Sequence, residues 1–190
     1  MLKKVFLVLI ISILMLSISG CTDKVVEESL VDTGVVTNTI SDDASSQSLM
    51  PIDDLSENYE FLGSRDLSAE KVGSEYISVE GIEGGSEGLY IYLNSTDLYI
   101  DVIEMNSSSS AEEFIVQYKA GFRELSSGSR FTEESISDHS TVRILEYVTI
   151  DKANIPRYTY IWSNDKFVFV VGGATDDYVV LSELAEATGY

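Results

Sequence analysis

The sequence predicts an α+β domain with a mainly antiparallel sheet of about six to seven strands and two packed helices, after a signal peptide and a disordered tether. Three observations predict it. All 11 tyrosines, the single tryptophan and every phenylalanine except Phe6 lie between Tyr59 and Tyr190. This region contains short segments rich in β-branched and aromatic residues, separated by polar turn residues. Two further stretches have the apolar spacing of amphipathic helices. We therefore expect residues 59–190 to form the globular domain.

Residues 1–20 have the pattern of a secretory signal peptide. Lys3 and Lys4 give it a positive start, residues 5–18 are almost entirely apolar, and two small residues follow them. The alternative is a membrane-spanning anchor that is never cleaved. A helix over residues 5–18 is about 21 Å long, whereas the hydrocarbon core of a bilayer is about 30 Å thick. The short apolar run therefore favours a cleaved signal peptide.

The end of this segment, Ile18-Ser19-Gly20-Cys21, resembles the lipobox of exported lipoproteins. The resemblance implies that Cys21 is lipidated and becomes the new N-terminus. Cys21 is also the only cysteine, so lipidation gives its thiol a role without a disulfide. One acyl chain holds a protein only marginally, so a stable anchor implies two chains. We expect a lipoprotein anchored to the cell membrane on its extracytoplasmic face.

Residues 21–58 are predicted to be a disordered acidic tether that follows the lipidated cysteine. They contain no aromatic residue, and Lys24 is their only basic residue. Their apolar residues occur in pairs that are too short and too scattered to build a buried face. As a random coil, the tether would reach about 30 to 35 Å. That length is enough to hold the domain clear of the lipid head groups.

The charge of the chain excludes one class of partner. It carries 32 acidic and 12 basic residues, which gives a formal net charge of −20. Such a surface repels nucleic acid, and there is no basic stripe with interleaved aromatic residues. The usual reason for an acidic excess is a solvated surface that keeps a protein soluble, with cation binding as an alternative. We expect no nucleic-acid partner.

The strands of the domain are predicted from runs of β-branched and aromatic residues between turn residues. They are residues 76–79, 89–93, 98–105, 131–136, 141–150, 156–163 and 166–171. Residues 60–73 show no sustained period and are expected to be a loop with one short element. The polar residues 94–97 predict a hairpin between the second and third strands.

Glycine-rich residues 81–88 invite comparison with a phosphate-binding loop. They lack the Gly-Lys-Ser/Thr ending of such loops, and Glu83 and Glu87 would repel a phosphate group. A flexible connection between two strands is therefore the favoured interpretation.

The first helix is predicted to begin with a capping box formed by Ser110 and Glu113. Its apolar stripe consists of Phe114, Tyr118, Phe122 and Leu125, at spacings of four, four and three. Residues 126–128 are expected to end it. A two-layer domain must bury such a face, so the stripe indicates core packing rather than a cofactor site.

The last two strands are predicted to form a hairpin through a turn at Asn164 and Asp165. In that register Trp162 faces Phe167, Tyr160 faces Phe169 and Tyr158 faces Val171. The opposite side carries Thr159, Ile161, Val168 and Val170. Since both sides are apolar, this hairpin should lie in the middle of the sheet.

The second helix is predicted from Thr175, as its cap, to about Thr188. Asp176 and Asp177 lie in its first turn, where the helix dipole favours negative charge. Leu181, Leu184, Ala185 and Thr188 form its inward stripe, and Gly189 ends it.

The segment from Tyr158 to Tyr190 supports a second resemblance. Its runs YTYIWSNDKFVFVVGG and ELAEATGY are similar to the C-terminal part of uncharacterised exported lipoproteins of methanogenic archaea. The order of the strands also resembles that of Mog1/PsbP-like domains, which implies an accessory rather than a catalytic protein. Both resemblances concern the fold and the address, because neither contains a motif whose residues could be assigned roles.

Several kinds of chemistry are disfavoured by elimination. His139 is the only histidine, so Cys/His zinc sites and Cys-His catalysis are absent. Asp138 and Ser140 are adjacent to His139 and cannot form a catalytic triad with it, whereas a turn between two strands explains all three residues. No Asp-x-Asp-x-Asp-Gly calcium loop is present. We expect no catalytic residue, no metal site and no cofactor.

Two sets of residues are candidates for modification or binding. Asn94 and Asn106 begin sequons for N-glycosylation, and both fall in predicted turns. Tyr158, Tyr160 and Trp162 could display aromatic rings to sugars or peptides. The competing and favoured interpretation is that these three rings belong to the core.

Two functions of different class follow from the sequence. The favoured one is a non-enzymatic surface lipoprotein that binds an envelope protein or polymer. The alternative is a carboxylate-based hydrolase of envelope or extracellular polymer. A cleft in which two carboxylates converge would favour the alternative.

Overall fold

A computed structural model describes residues 39–53 and 55–190. It contains one seven-stranded antiparallel sheet and three α-helices, which confirms the predicted α+β class. The strands are β1 (Tyr59–Leu67), β2 (Ile82–Tyr92), β3 (Thr96–Met105), β4 (Phe131–Ile136), β5 (His139–Ile150), β6 (Ala153–Asn164) and β7 (Phe167–Gly173). The helices are α1 (Ala69–Glu75), α2 (Ser108–Ala120) and α3 (Tyr178–Glu186), and a 3-10 turn covers Ser46–Leu49.

The sheet consists of two meanders that meet at its centre. Its strand order is β1-β2-β3-β7-β6-β5-β4, and every neighbouring pair is antiparallel. After β3 the chain passes through α2 to β4 at the far edge and returns strand by strand to β7. The predicted central hairpin is confirmed, because β7 is the fourth of the seven strands. All of its residues from Phe167 to Gly172 are buried.

Helices cover both faces of the sheet, so the domain has two apolar layers. On one face, Leu181, Leu184 and Ala185 of α3 pack with Trp162 and Phe169. On the other face, the core contains Val72 of α1, Ala111 and Phe114 of α2, and the strand residues Ile103, Ile161, Val168 and Val170. Burial on both faces is the reason that β3 and β7 contain near-continuous apolar runs.

The predicted register of the β6–β7 hairpin is wrong by two residues, although the faces are right. Trp162 pairs with Phe169 and Tyr160 with Val171, because the turn consists of Asp165 and Lys166. Asp165 has a φ of 52°, which an Asp tolerates in a tight turn. An even shift leaves each side chain on its own face, so Trp162 still shares a layer with Phe169.

The region before β3 differs most from the sequence prediction. Residues 60–73, expected to be a loop, form most of β1 and the start of α1. Residues 76–79, expected to be a strand, follow α1 without regular structure because Tyr76 is its C-terminal cap. Glycine-rich residues 81–88, expected to be a flexible connection, lie almost entirely in β2. The glycines permit close packing there, since a Cβ on Gly85 would lie 2.5 Å from the carbonyl oxygen of Val102.

The helix boundaries are shifted from the predicted caps. The N-cap of α2 is Ser107 rather than Ser110, because the Ser107 hydroxyl accepts a hydrogen bond from the backbone N–H of Ser110. This helix ends at Ala120, before the predicted stop at residues 126–128. The N-cap of α3 is Asp177 rather than Thr175. Its carboxylate accepts a bond of 2.9 Å from the N–H of Val179.

The predicted tether is too long at its C-terminal end, because its last residues pack on the domain. Ile40, Leu49 and Met50 are buried in the α3 layer. The hydroxyl of Tyr90 donates to the carbonyl oxygen of Pro51 at 3.1 Å. These apolar residues cannot form a core by themselves, but they extend an existing one. The rest of the predicted tether, the signal peptide and Cys21 lie outside the described residues.

This boundary can be tested with two substitutions in the same short segment. Leu49 is 3% exposed and Ile52 is 50% exposed. We expect Leu49→Ala to lower the free energy of unfolding by about 2 to 5 kcal/mol, because it leaves a cavity in the α3 layer. Ile52→Ala is the control and should change it by less than about 0.5 kcal/mol. Urea unfolding of both variants measures the difference. Equal, negligible losses would mean that the segment does not contribute to the folded domain.

Candidate functional site

The aromatic residues proposed as a ligand surface are mostly inside the protein. Tyr160 and Trp162 are 0% exposed. The Trp162 ring stacks on Phe169 at 5.0 Å, and its indole N–H donates to the carbonyl oxygen of Tyr190 at 3.0 Å. Only Tyr158 is partly exposed, and its ring packs edge-on against Tyr178. Tyr160 and Trp162 therefore belong to the core, because neither ring has a surface that a ligand could contact.

The two predicted glycosylation acceptors lie at the surface. Asn94 is exposed in the β2–β3 turn, where its φ is 56°. Asn106 is exposed just before α2, and its side-chain oxygen accepts a bond of 2.7 Å from the Ser110 hydroxyl. Glycosylation of either residue stays a prediction.

The single histidine lies at a turn between two strands. His139 is the first residue of β5 and follows a tight turn in which Ser137 and Asp138 have positive φ. Its Nε2 lies 3.3 Å from the side-chain nitrogen of Asn164. Within residues 39–53 and 55–190, no three His, Cys, Asp or Glu side chains are grouped as metal ligands.

A small pocket on the α1 and α2 face of the sheet is the candidate site, because carboxylates and tyrosine side chains converge there. It has a volume of about 260 Å³ and is lined by Glu75, Tyr76, Glu87, Tyr99, Asp101 and Tyr118. We call it the tyrosine–carboxylate pocket. Its residues come from β2, β3, the end of α1 and the last turn of α2. Four separate segments therefore converge on one place.

Asp101 is buried in this pocket because of its position in the sheet. It lies in β3, where it is directly opposite Glu87 of β2 on one side and Val170 of β7 on the other. Only 3% of its surface is exposed. One carboxylate oxygen, Oδ2, accepts a hydrogen bond from the hydroxyl of Tyr76. The other, Oδ1, has no hydrogen-bond partner among the described residues. A buried, unpaired carboxylate oxygen is costly and calls for an explanation.

The charges around the pocket are only partly balanced. Glu87 pairs with Arg65 of β1, and Glu75 pairs with Lys71 one helical turn earlier, at 2.6 Å. Asp101 has no positively charged partner in the part of the chain that the structure describes. The residue directly opposite it, Glu87, carries a negative charge instead. Like charges in directly opposite positions of an antiparallel pair destabilise the sheet.

This environment makes Asp101 a much weaker acid than an ordinary aspartate. Burial raises the pKa of Asp101 to about 7, and the negative charges of Glu87 and Glu75 add to the rise. The hydrogen bond from Tyr76 and the positive charge of Arg65 oppose it. The carboxyl group is therefore partly protonated at neutral pH.

Three tyrosine rings form the walls of the pocket. Tyr76 and Tyr118 contact each other edge-on, with their ring centroids 5.5 Å apart. Tyr99 lies across β7, where a Cβ on Gly172 would be 2.4 Å from its hydroxyl oxygen. Glycine at that position therefore lets the ring lie flat over the neighbouring strand. Burial raises the pKa of Tyr118 to about 12, so its hydroxyl stays neutral at physiological pH.

A larger cavity near the end of α2 is less suited to a ligand. It measures about 420 Å³ and is lined by residues 122–125 and 128–131. Its Arg130 donates from Nε to the carbonyl oxygen of Arg123 and from Nη1 to that of Leu145, each at 2.7 Å. The guanidinium group thus holds the loop to the sheet through two of its five N–H groups.

Sequence reasoning missed Asp101 and the pocket around it. One signal was present, because Asp101 interrupts the run Leu98 to Ile103, which is apolar on both faces of a predicted strand. A carboxylate in such a strand must point into a layer of the core. Glu87 gave no comparable signal, since residues 81–88 were interpreted as a connection rather than a strand.

No protein-family model, curated protein or solved structure matches this chain. The resemblances to exported lipoproteins and to Mog1/PsbP-like domains therefore stay predictions. No helix among the described residues is long and apolar enough to cross a membrane.

The cost of ionising the buried Asp101 carboxyl group predicts an unusual dependence of the folding stability on pH. A carboxyl group with a higher pKa in the folded than in the unfolded chain makes folding less favourable as the pH rises from about 4 to 7. Asp101→Asn removes this cost. We expect the variant to melt several degrees above the parent chain at pH 8, with the difference disappearing near pH 4. Calorimetric melting curves across this range measure the effect.

Asp97→Asn is the matched control, because Asp97 is an exposed carboxylate on the same strand. Its melting curve should stay parallel to that of the parent chain. A lower melting temperature of Asp101→Asn at pH 8 would instead show that the Asp101 carboxylate is a structural partner of Tyr76.

Proposed function

We propose that this chain is a membrane-anchored lipoprotein whose domain is a non-enzymatic binding module on the extracytoplasmic face of the cell membrane. Its ligand site is the tyrosine–carboxylate pocket. The observation that carries the proposal is the Asp101 Oδ1 atom, buried at this pocket and unpaired among the described residues. Proteins retain a destabilising polar group of this kind where it serves function.

The size and walls of the pocket support binding of a small group. A volume of about 260 Å³ accommodates a few non-hydrogen atoms rather than several sugar rings of a polymer. Such a group belongs either to a small molecule or to one side chain of a larger envelope partner. The acidic lining and the net charge of −20 disfavour anions and nucleic acid.

The address of the protein rests on its first 21 residues. They combine a positive start, a short apolar run and a lipobox-like ending at Cys21. The described domain begins well after Cys21, which leaves room for a tether between a lipid anchor and the first buried residue, Ile40.

Substitution of Cys21 tests this address. If Cys21 carries the lipid, the parent chain should partition into the detergent phase of a Triton X-114 separation with its signal peptide removed. Cys21→Ser should accumulate as an uncleaved precursor or appear in the aqueous phase. Equal partitioning of both proteins, each with the first 20 residues still attached, would contradict lipidation and indicate an ordinary membrane anchor.

A hydrolase is the second candidate, and one observation favours it. Two carboxylates, Asp101 and Glu87, lie directly opposite each other on neighbouring strands. Their side chains are close enough for an acid and a base to act on one bond. Asp101, with its raised pKa, would be the acid. Against this, Glu87 is held by Arg65 and the pocket is too small for a polymer chain.

A ligand screen separates the two functions. Aliphatic amines, neutral sugars and short peptides are added in turn to the full-length chain in detergent, and the melting temperature is recorded. A binding module should be stabilised by about 2.7 kcal/mol at a ligand concentration of 100 times Kd, and Asp101→Asn should lose this effect. Release of new reducing ends from envelope polysaccharide, abolished in Asp101→Asn, would contradict a non-enzymatic module and support the hydrolase.

A further inference from the structure

We propose that the tyrosine–carboxylate pocket binds a protonated aliphatic amine. Its ammonium group donates a hydrogen bond to Oδ1 of Asp101, and its alkyl chain lies against the rings of Tyr76, Tyr99 and Tyr118. This inference rests on the proposed binding function and adds the chemical class of the ligand.

The first argument is the count of charges at the pocket. Three carboxylates line it, and two of them already have a cation. Arg65 pairs with Glu87, and Lys71 pairs with Glu75. Asp101 is the third, with no positive partner in the described part of the chain. A ligand that brings one positive charge gives the third carboxylate a cationic partner and relieves the repulsion between Asp101 and Glu87.

The second argument is the hydrogen bond that Oδ1 of Asp101 lacks. At pH 8, above the raised pKa of Asp101, the carboxylate is mostly ionised and only accepts hydrogen bonds, so its partner must be a donor. A protonated amine supplies both an N–H and a positive charge, and such charge-assisted bonds are about twice as strong as neutral ones. A quaternary ammonium supplies the charge without a donor, and an alcohol supplies a donor without the charge. The pocket should therefore discriminate against both.

The third argument is the composition of the walls. Tyrosine rings attract cations through their faces and also cover apolar groups, which suits an ammonium on an alkyl chain. A small divalent metal ion needs several oxygen ligands at about 2.0 to 2.6 Å. Within the described residues, no such grouping of carboxylates exists at this pocket. An ammonium group needs no such set of oxygen ligands, since one charge-assisted hydrogen bond holds it.

Access to Asp101 requires a small movement of a wall. Oδ1 is covered by its neighbours, so an amine reaches it only when a neighbouring group shifts. Tyr76 is suited to this because it ends α1, and residues 77–80 that follow have no regular structure. The ligand then becomes the new neighbour of Oδ1. Binding of this kind is compatible with a pocket that is largely formed in advance.

Isothermal titration calorimetry with three probes of similar size tests the proposal. The full-length chain in detergent is titrated with n-propylammonium, n-propanol and tetramethylammonium at pH 8, in phosphate buffer because Tris is itself an amine. We expect saturable binding of one n-propylammonium per chain. The neutral alcohol and the quaternary cation should each bind at least tenfold more weakly.

Two variants identify the site. Asp101→Asn should weaken n-propylammonium at least tenfold, and this loss cannot come from unfolding if the variant is as stable as expected. Asp97→Asn should bind like the parent chain. Nα-acetyl-lysine amide carries the same alkylammonium group on a peptide unit. If this probe binds more tightly than n-propylammonium, the natural ligand is a lysine side chain of a partner protein. If it binds more weakly, the natural ligand is a free amine.

The outcomes distinguish this inference from the function on which it rests. Equal affinity for n-propanol and n-propylammonium, or unchanged affinity in Asp101→Asn, would overturn the amine as ligand. If a neutral sugar stabilises the parent chain but not Asp101→Asn, and n-propylammonium does not bind, the binding module stands and the amine fails. If none of these ligands binds, both proposals fail.

Discussion

The hydrogen-bonded pairing of β3 with β7 is the contact on which the rest of the structure depends. It is the only pairing between the two meanders of the described sheet, since the other five pairs join strands that are consecutive in the chain. It also closes a long loop of chain, because α2 and three strands lie between its partners. Such a non-local contact is entropically expensive. Burial of both faces of the central strands offsets that cost, and this explains the unbroken run of buried residues in β7.

The same burial creates the candidate site. The middle of a strand that is covered on both faces offers no exposed position, so any charged residue placed there loses water whichever way it points. Asp101 is such a residue, and its neighbours compensate it only in part. Tyr76 satisfies one oxygen, while the negative charge of Glu87 makes the carboxyl group harder to ionise. The chemistry of the pocket is thus a consequence of the sheet's topology as much as of the residues that line it.

The sequence was informative where apolar residues repeat and uninformative where they do not. The strands from β3 to β7 were predicted close to their observed bounds, because their apolar runs are bounded by polar turns. β1 was missed because it is an edge strand with mostly exposed residues and a register shift between Phe61 and Gly63. Residues 89–93 were predicted as a strand and cover the end of β2, but its first part was missed because its glycines look like a loop. They are needed where backbones and side chains approach closely, as at Gly88, where a Cβ would lie 2.9 Å from Met50 Sδ.

The site was harder to predict than the fold for a related reason. Asp101, Glu87 and Tyr118 are far apart in the chain, and only the pairing of β2 with β3 and the packing of α2 bring them together. The aromatic residues that stood out, Tyr160 and Trp162, are those that the core uses. A cluster of aromatic residues in a sequence indicates burial more often than function, because large apolar rings dominate the energetics of packing.

The packing of residues 39–53 has a geometric consequence for how the domain is presented. These residues lie on the α3 face of the sheet, where Ile40 and Met50 are buried, whereas the tyrosine–carboxylate pocket opens on the opposite face. A domain attached to a bead or a sensor chip through its N-terminal segment would therefore be held at the face opposite the pocket. Its pocket would remain accessible to the flowing solution. Many copies could be immobilised side by side without their attachment points blocking the neighbouring pockets.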